Sequence, residues 1–488
     1  MDSSLFIAGL SVIIALLSMT IALSFYAKRG PQYTLVIILG MSFLLRLIPA
    51  QDPFLHEWDE QFHALVAKNL DKNIFKPTLY HYPVLDYDYQ DWTSNHVWLH
   101  KQPLPLWLMH FSLKTFGNTV VALRLPSVLL STCCIWLTFL IGNALFKNSK
   151  TALIAAYLHG VNGFIIANAV GRLPTDHIDC HFLFFTELSI LFIVWYREFG
   201  KFWMLAMIGT TLGLAILCKW LTAGFVIPLF LLMLKPQKSW WILLGHCTLI
   251  VAISTIIALP WQFYIAQQFP QEAQWEQHYN FLHLFTALEG HTGAWYYHLA
   301  KARIIWNELV YLPFIALMVF AIRSRRAEYW FLLLWILIPY VFFSMVKTKM
   351  TAYVMISAPA IFISCAWFVE KLQSLKPKLG QVLLVLMLGL AIRYSVEKIK
   401  PFQEDLDGKN KLDLVKKIKL YDAEKHTVVF NFPHPLQAMF FTNCIAYSQL
   451  PTTTELRQLH ARGYRLFIYQ KEEIPAEYIN QSEWGLIK

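Results

Sequence analysis

Twelve apolar runs punctuate this sequence, at residues 4–27, 32–50, 120–146, 151–169, 178–196, 202–218, 221–234, 240–260, 304–322, 329–346, 351–370 and 380–396. A helix needs about 20 largely apolar residues to cross a bilayer, so each run is a candidate span; 221–234 is the shortest. The chain is 57% hydrophobic and 15% charged over 488 residues, too little charge to coat a soluble surface of that size. The first run is too long for a signal-peptide core and lacks a basic start. It reads as a transmembrane helix ending at Lys28 and Arg29. The expectation is an all-α polytopic membrane domain of about 12 helices over 1–399.

The formal net charge is +10. The cations cluster in short connectors: Lys28/Arg29, "KNSK" (147–150), "YREFGK" (196–201), "KPQK" (235–238), "RSRR" (323–326) and "KLQSLKPK" (371–378). With twelve passes all six fall on one side, which the positive-inside rule makes the cytoplasm. The charge is thereby accounted for without nucleic acid. The other side receives loop 51–119, "GRLPTDH" (171–177), loop 261–303, "KTKMTAY" (347–353) and the C-terminal tail. Six of the seven cysteines lie in apolar runs and no CxxC occurs, so they read as small hydrophobes rather than a disulfide framework.

From about residue 400 the composition changes. "TVVFNF" (427–432), "CIAYSQ" (444–449) and "RLFIYQ" (465–470) read as strands, with helical "PLQAMFF" and "TTTELRQLHARG" between them. This predicts a small extracytoplasmic α/β domain over 400–488, without a phosphate loop or nucleophile elbow, and accessory in character.

Acid gathers in "HEWDEQFHALVAKNL" (56–70), where Phe62, Leu65, Val66 and Leu70 recur at helical spacing. A surface helix is predicted over 59–70, and a second over 103–117. Asp59 either caps the first helix or serves as a carboxylate at the membrane face, with Glu60 beside it. Lys101 is a snorkelling lysine or a cation for phosphate. Arg172 and Asp176 form an ion pair, or a phosphate-binding arginine beside a second site acid. The loop 275–298 is rich in histidine but matches no metal-binding spacing; within it, His278 is the residue placed to meet His100. Lys349 and Tyr353 fall at the outer end of a span, four residues apart and hence on the same helical face. Two carboxylates, several cations and no evident nucleophile on one side of a membrane suit transfer from a lipid-phosphate donor.

"WDEQFHALVAKNL", "KQPLPLWLMHFSLKTFGNTVVALRLPSVL", "GRLPTDHIDCHFLFF" and "VKTKMTAYVMISAPA" follow one another across roughly residues 55–360. In them the chain resembles the lipid-linked-sugar glycosyltransferases of the GT-C fold, above all the bacterial aminoarabinose (lipid A) transferase and protein mannosyltransferase superfamily. The resemblance implies catalytic carboxylates at Asp59, with Glu60 beside it, and at Asp176. It implies donor-phosphate contacts from Lys101, Arg124, Lys349 and Tyr353, with Arg172 as a further candidate. His100 stands where the lipid A branch often has an acid, Lys101-Gln102-Pro103 replaces a K-P-P element, and an extra N-terminal span precedes the usual first one. A divalent metal, should one hold the donor phosphate, would be sought at His100 and His278. The implied activity is inverting transfer of a sugar from a polyprenyl-phosphate donor to a lipid A-like glycolipid, an envelope glycan or a protein hydroxyl. The implied location is the bacterial inner membrane, with the active site on the extracytoplasmic face. The alternative is a transporter or flippase of lipid-linked sugar, but such proteins place charge at the bilayer midplane in repeated halves. Here the spans are nearly free of acid, Glu187 being an exception, and no internal repeat is evident.

Overall fold

The computed structural model describes residues 3–173, 177–234, 239–419, 421, 426–470, 474–479 and 481–487. Among them, nine helical stretches are long and apolar enough to span a membrane, and eleven if each of two bent pairs counts as one span. The pairs are Ser149–Gly160 with Gly163–Ala169, bent by 54°, and Tyr297–Ile305 with Glu308–Ser324, bent by 120°. Polar side chains sit at both bends. Asn162 accepts from Ile165 N at 2.9 Å and donates to Ile305 O at 2.8 Å, and Asn307 accepts from Leu309 N at 2.9 Å. Each thereby satisfies backbone that a helix break leaves unpaired.

The stretch Trp203–Met233 doubles back. Trp220, with φ 54° and ψ −147°, ends the helix Trp203–Lys219. Lys219 pairs with Asp179, at the start of the helix Asp179–Phe199. Met233 Sδ accepts from Arg197, near that helix's other end, at 3.1 Å. Those two residues are about 27 Å apart at 1.5 Å per residue, so the chain runs out to Lys219 and returns. The reversal supplies one further pass and brings eleven to the twelve expected.

Four of the basic connectors, 147–150, 196–201, 323–326 and 371–378, meet on one face, while "KPQK" (235–238) lies outside the described residues. Lys147 pairs with Glu198, Lys150 donates to Gln373, and Arg197 pairs with Glu328 at 3.1 Å. Loop 51–119 and the turn at 171–173 lie on the opposite face, hereafter the loop face. There Lys347 N, Thr348 N and Lys349 N donate to Leu284 O, His283 O and His291 O at 3.2, 3.2 and 2.9 Å, which docks loop 261–303 onto the segment after Met345.

The tail forms a wholly parallel sheet of order β2-β1-β3-β4: β1 Thr427–Phe430, β2 Ile445–Ala446, β3 Arg465–Tyr469 and β4 Trp484–Ile487. The fourth strand was not expected; "WGLI" is short and contains glycine, which weakens a strand signal. The helix Thr453–Ala461 starts at a capping box between Thr452 and Glu455.

This region does not pack as a separate module. Phe62, Leu65 and Trp98 of loop 51–119 share one core with Val428, Phe430 and Phe432. Lys68 Nζ donates to Met439 O, Phe440 O and Thr442 O at 2.7, 3.0 and 2.7 Å, closing the C-terminal end of the helix Pro435–Phe441. Tyr80 stacks on Tyr447 with centroids 4.6 Å apart. The surface helix and the α/β region are one folded unit on the loop face. Phe430→Ala should therefore cost about 3–5 kcal/mol and speed proteolysis of loop 51–119 as well as of the tail. Unchanged cleavage of the loop would show that the two fold separately.

Candidate active site

The two surface helices form as predicted, at Asp59–Asn69 and Pro103–Phe116. Asp59 is not the cap of the first. The cap position is Trp58, held at φ 64° and ψ −130° with no side-chain capping bond. Backbone of that kind costs about 1–3 kcal/mol in a residue other than glycine and persists only where the surroundings enforce it.

On either side of Trp58 the chain is anchored by Arg124, wholly buried in the helix Val120–Phe146. Its Nε and Nη2 donate to Glu60 Oε1 and Oε2 at 2.6 and 2.8 Å. Nη1 donates to Ala50 O and Asp52 O at 3.1 and 2.9 Å, and Nη2 to Phe54 O at 2.9 Å. One guanidinium thus grips the whole link between the second span and the surface helix. His56 Nδ1 lies 2.7 Å from Arg124 Nη2, and His56 Nε2 lies 3.2 Å from Asp52 Oδ2. His56 Nδ1 also lies 3.0 Å from Glu60 Oε2, so the ring bridges the two carboxylates. Asp52 Oδ2 also receives Arg172 Nε and Nη2 at 2.9 and 2.8 Å, and Arg172 Nη1 donates to Ile399 O. Gly171 has φ +71°, and a Cβ there would lie 2.6 Å from Glu60 Oε1, so the turn needs glycine twice over.

These contacts revise several expected roles. Arg124 and Arg172 were expected to hold a phosphate; their donors are instead committed to carboxylates and carbonyls. Glu60 was expected beside Asp59 in catalysis, but it is 1% exposed and locked to Arg124. Burial alone would raise its pKa; Arg124 and His56 outweigh burial and hold it well below the usual carboxylate range. Asp59, at the first helical position, remains half-buried beside this scaffold.

Asp176 lies outside the described residues. Its neighbour His177 meets His63 of the surface helix, with Nδ1 atoms 3.2 Å apart, so the helix and that turn do come together. Lys101 is half-buried just ahead of Pro103–Phe116.

Lys349 and Tyr353 do not share a helix. Residues 346–350 are non-helical and Tyr353 lies in a 3₁₀ turn, Thr351–Ser357. They converge on Phe343 by another route. The buried Lys349 Nζ donates to Phe343 O, Ser344 O and Val346 O at 2.9, 2.7 and 2.5 Å, and the Tyr353 ring lies 4.8 Å from that of Phe343. Burial, with Lys347 nearby, lowers the pKa of Lys349. Lys219 Nζ sits 5.1 Å from the Tyr353 centroid while pairing with Asp179. Neither Lys219 nor Asp179 was singled out from the sequence. The available signal was that Lys219 is the sole charged residue between Lys201 and Lys235.

The suggested metal pair is not assembled. His100 stacks on Trp92 at 4.2 Å and places Nδ1 3.1 Å from Glu276 Oε2. His278 follows two residues later on the helix Pro270–Leu282, hence on its opposite side, and is exposed. Among the described residues no three metal-ligating side chains group together.

The many-pass helical domain with two surface helices on one face has the GT-C fold. Residues 100–264 match the family described as dolichyl-phosphate-mannose-protein mannosyltransferase. An undecaprenyl phosphate-alpha-4-amino-4-deoxy-L-arabinose arabinosyl transferase of Pseudomonas aeruginosa (strain LESB58) is 27% identical over 287 residues, covering 54% of this chain and 49% of that protein. The chain thus spans about half the length of the curated relatives it matches first. An uncharacterized protein of Aquifex aeolicus (strain VF5) is 28% identical over 353 residues, 68% of this chain and 65% of that one. The crystal structure of ArnT from Cupriavidus metallidurans bound to undecaprenyl phosphate superposes with TM-score 0.65 at 14% identity, covering 88% of this chain and 87% of that one. The oligosaccharyltransferase AglB from Archaeoglobus fulgidus, in complex with an inhibitory peptide and a dolichol-phosphate, gives 0.52 at 11% identity, covering 85% and 64%. The fold is shared with both.

Removing one partner of a buried ion pair costs about 3–5 kcal/mol. Arg124→Met should lower the melting temperature accordingly. The acid side follows from linkage. Folded-state pKa values of Glu60 and Asp52 are depressed. Their stabilisation is therefore complete above the unfolded values of about 4 and is lost as pH falls below them. Glu60→Gln should start less stable and lose less stability on acidification. A parallel acid profile for wild type and Glu60→Gln would refute the buried pair.

Proposed function

We propose that this chain is a membrane glycosyltransferase that moves a sugar from a polyprenyl-phosphate donor to an acceptor on the loop face, with inversion at the anomeric carbon. The observation that carries the reading is the placement of Asp59. It is half-buried at the start of the surface helix, next in sequence to the Glu60–Arg124 lock. The matched family and the arabinosyl transferase relatives supply the class of donor.

In this scheme the acceptor oxygen attacks the anomeric carbon from the side opposite the phosphate. The bond from that carbon to the phosphate oxygen breaks, and polyprenyl phosphate leaves with the electron pair. Lys101 meets the developing charge; Lys349, whose three donors are spent on carbonyls, supports the segment that carries Tyr353 rather than the phosphate. When the acceptor is a hydroxyl, its proton passes to Asp59; when it is a phosphate, as on a lipid A-like glycolipid, Asp59 orients it. Arg124, Glu60, Asp52 and Arg172 act by holding Asp59 in place. The positive-inside bias assigns the basic face to the cytoplasm. The site is then extracytoplasmic, in a bacterial inner membrane.

General-base catalysis contributes about 10²–10⁴-fold. Asp59→Asn should therefore reduce transfer at least about 100-fold at unchanged melting temperature. The check is mass spectrometry of lipid A, envelope glycans and polyprenyl-phosphate sugars from cells lacking the chain and from cells complemented with wild type or Asp59→Asn. One sugar mass missing from one acceptor, restored by wild type alone, supports the reading. Full restoration by Asp59→Asn would remove Asp59 from the mechanism.

A further inference from the structure

Residues 171 and 177–178, ahead of the helix Asp179–Phe199, lie along one strip of the surface helix Asp59–Asn69. Glu60, His63, Ala64 and Ala67 recur there at three- and four-residue intervals, and all are buried. Gly171 lies against Glu60, the His177 ring meets His63, and Ile178 shares a core with Ala64 and Ala67. Asp59 stands four residues before His63, hence one helical turn away on the same side. The contact between the two histidines differs in kind from its neighbours. Their Nδ1 atoms are 3.2 Å apart, their ring centroids 4.8 Å apart, and both rings are fully buried. Trp98 meets His63 edge-on at 5.8 Å. The transfer scheme uses neither histidine.

Two facing imidazole nitrogens form a hydrogen bond only when one carries a proton and the other a lone pair. In the neutral pair one ring is protonated at Nδ1 and the other at Nε2. One added proton makes an imidazolium that still donates to its neighbour. A second puts two N–H groups on one line, and repulsion replaces the bond. The surroundings add another base: His181, in the first turn of the helix Asp179–Phe199, lies within electrostatic reach of His177. Nearby acids have other duties, Glu60 with Arg124 and Asp179 with Lys219, while Asp59 is half-buried. Met109 and Leu123, which reach the same core from the helices Pro103–Phe116 and Val120–Phe146, carry no charge.

We infer that His63 and His177 are positioning residues for the transfer step. One shared proton fastens the Asp59 side of the surface helix to the start of the helix Asp179–Phe199, and two protons release it. The step being positioned rests on the transfer reading; the fastening rests on the ring geometry alone. Turnover then falls on acidification where histidine ordinarily titrates, at about pH 6.5, well above the ordinary aspartate range of about 4.

The test uses the full chain reconstituted in vesicles, with undecaprenyl phosphate-alpha-4-amino-4-deoxy-L-arabinose as donor, a phosphate-bearing glycolipid as acceptor, and the variants His63→Leu and His63→Gln. Leucine offers no polar atom. The glutamine amide can donate or accept, so it bonds His177 in either protonation state. His63→Leu should lower kcat at least about tenfold with KM for the donor unchanged, because a misplacement of about 1 Å can cost about 100-fold. His63→Gln should restore most of that kcat and, unlike wild type, hold it from about pH 7.5 to about pH 5.5, one unit either side of the histidine value. The same acid fall in wild type and His63→Gln would overturn the release. Wild-type kcat per folded molecule in His63→Leu, with only a lower melting temperature, would overturn the positioning role. Amide exchange read by mass, corrected for its intrinsic pH dependence, tests the fastening without turnover. Over the same acid interval, exchange in residues 59–69 should quicken at least about tenfold in wild type and stay level in His63→Gln. Exchange that stays level in both would overturn the fastening. If wild type transfers no sugar, the transfer reading fails separately, and the exchange comparison still decides the histidine pair.

Discussion

Arg124 and Glu60 form the contact on which the loop face depends. Lipid organises helices that cross it but says little about where their connecting segments go. Here a single buried guanidinium fixes the segment from Ala50 to Glu60 through one bidentate pair and three carbonyls. The pair costs desolvation, and a well-packed apolar substitute would serve stability about as well. What the ionic version adds is geometry. It sets the start of the surface helix, anchors the chain on either side of Trp58, and requires glycine at 171.

Two adjacent acids consequently have different fates. Successive residues on a helix point about 100° apart. Glu60 turns inward to Arg124, is fully buried and stays ionised; Asp59 is half-buried. The second arginine extends the scaffold rather than the reacting surface, through Asp52 and the carbonyl of Ile399. On the far wall Lys349 closes the C-terminal end of the helix Ala327–Met345, while Lys219 pairs with Asp179 and faces Tyr353. The α/β region roofs the assembly through Lys68 and the shared core around Trp98.

Sequence period and charge bias disclosed the membrane passes well, because apolar length and basic connectors are physical requirements of spanning. They also grouped four basic connectors that meet on one face. They did not disclose partners. Nothing local in "ALRLPS" distinguishes an arginine that grips a carboxylate from one that grips a phosphate; the distinction is made by Glu60, sixty-four residues away. Spacing also misled at Lys349 and Tyr353, where a four-residue interval has helical meaning only inside a helix. His100 was separated from His278 for a similar reason, since Glu276 occupies the face that turns toward it. The fourth strand was lost to its brevity, and the union of tail and surface helix rests on contacts more than 350 residues apart.

The central claim is that the loop face breaks a sugar–phosphate bond rather than moving an intact lipid. The most direct test reconstitutes the purified chain in vesicles with a polyprenyl-phosphate sugar labelled in the sugar, plus a phosphate-bearing glycolipid acceptor. The account predicts that label passes to the acceptor while free polyprenyl phosphate accumulates mole for mole. Label that stays on the polyprenyl phosphate and only changes leaflet would contradict it.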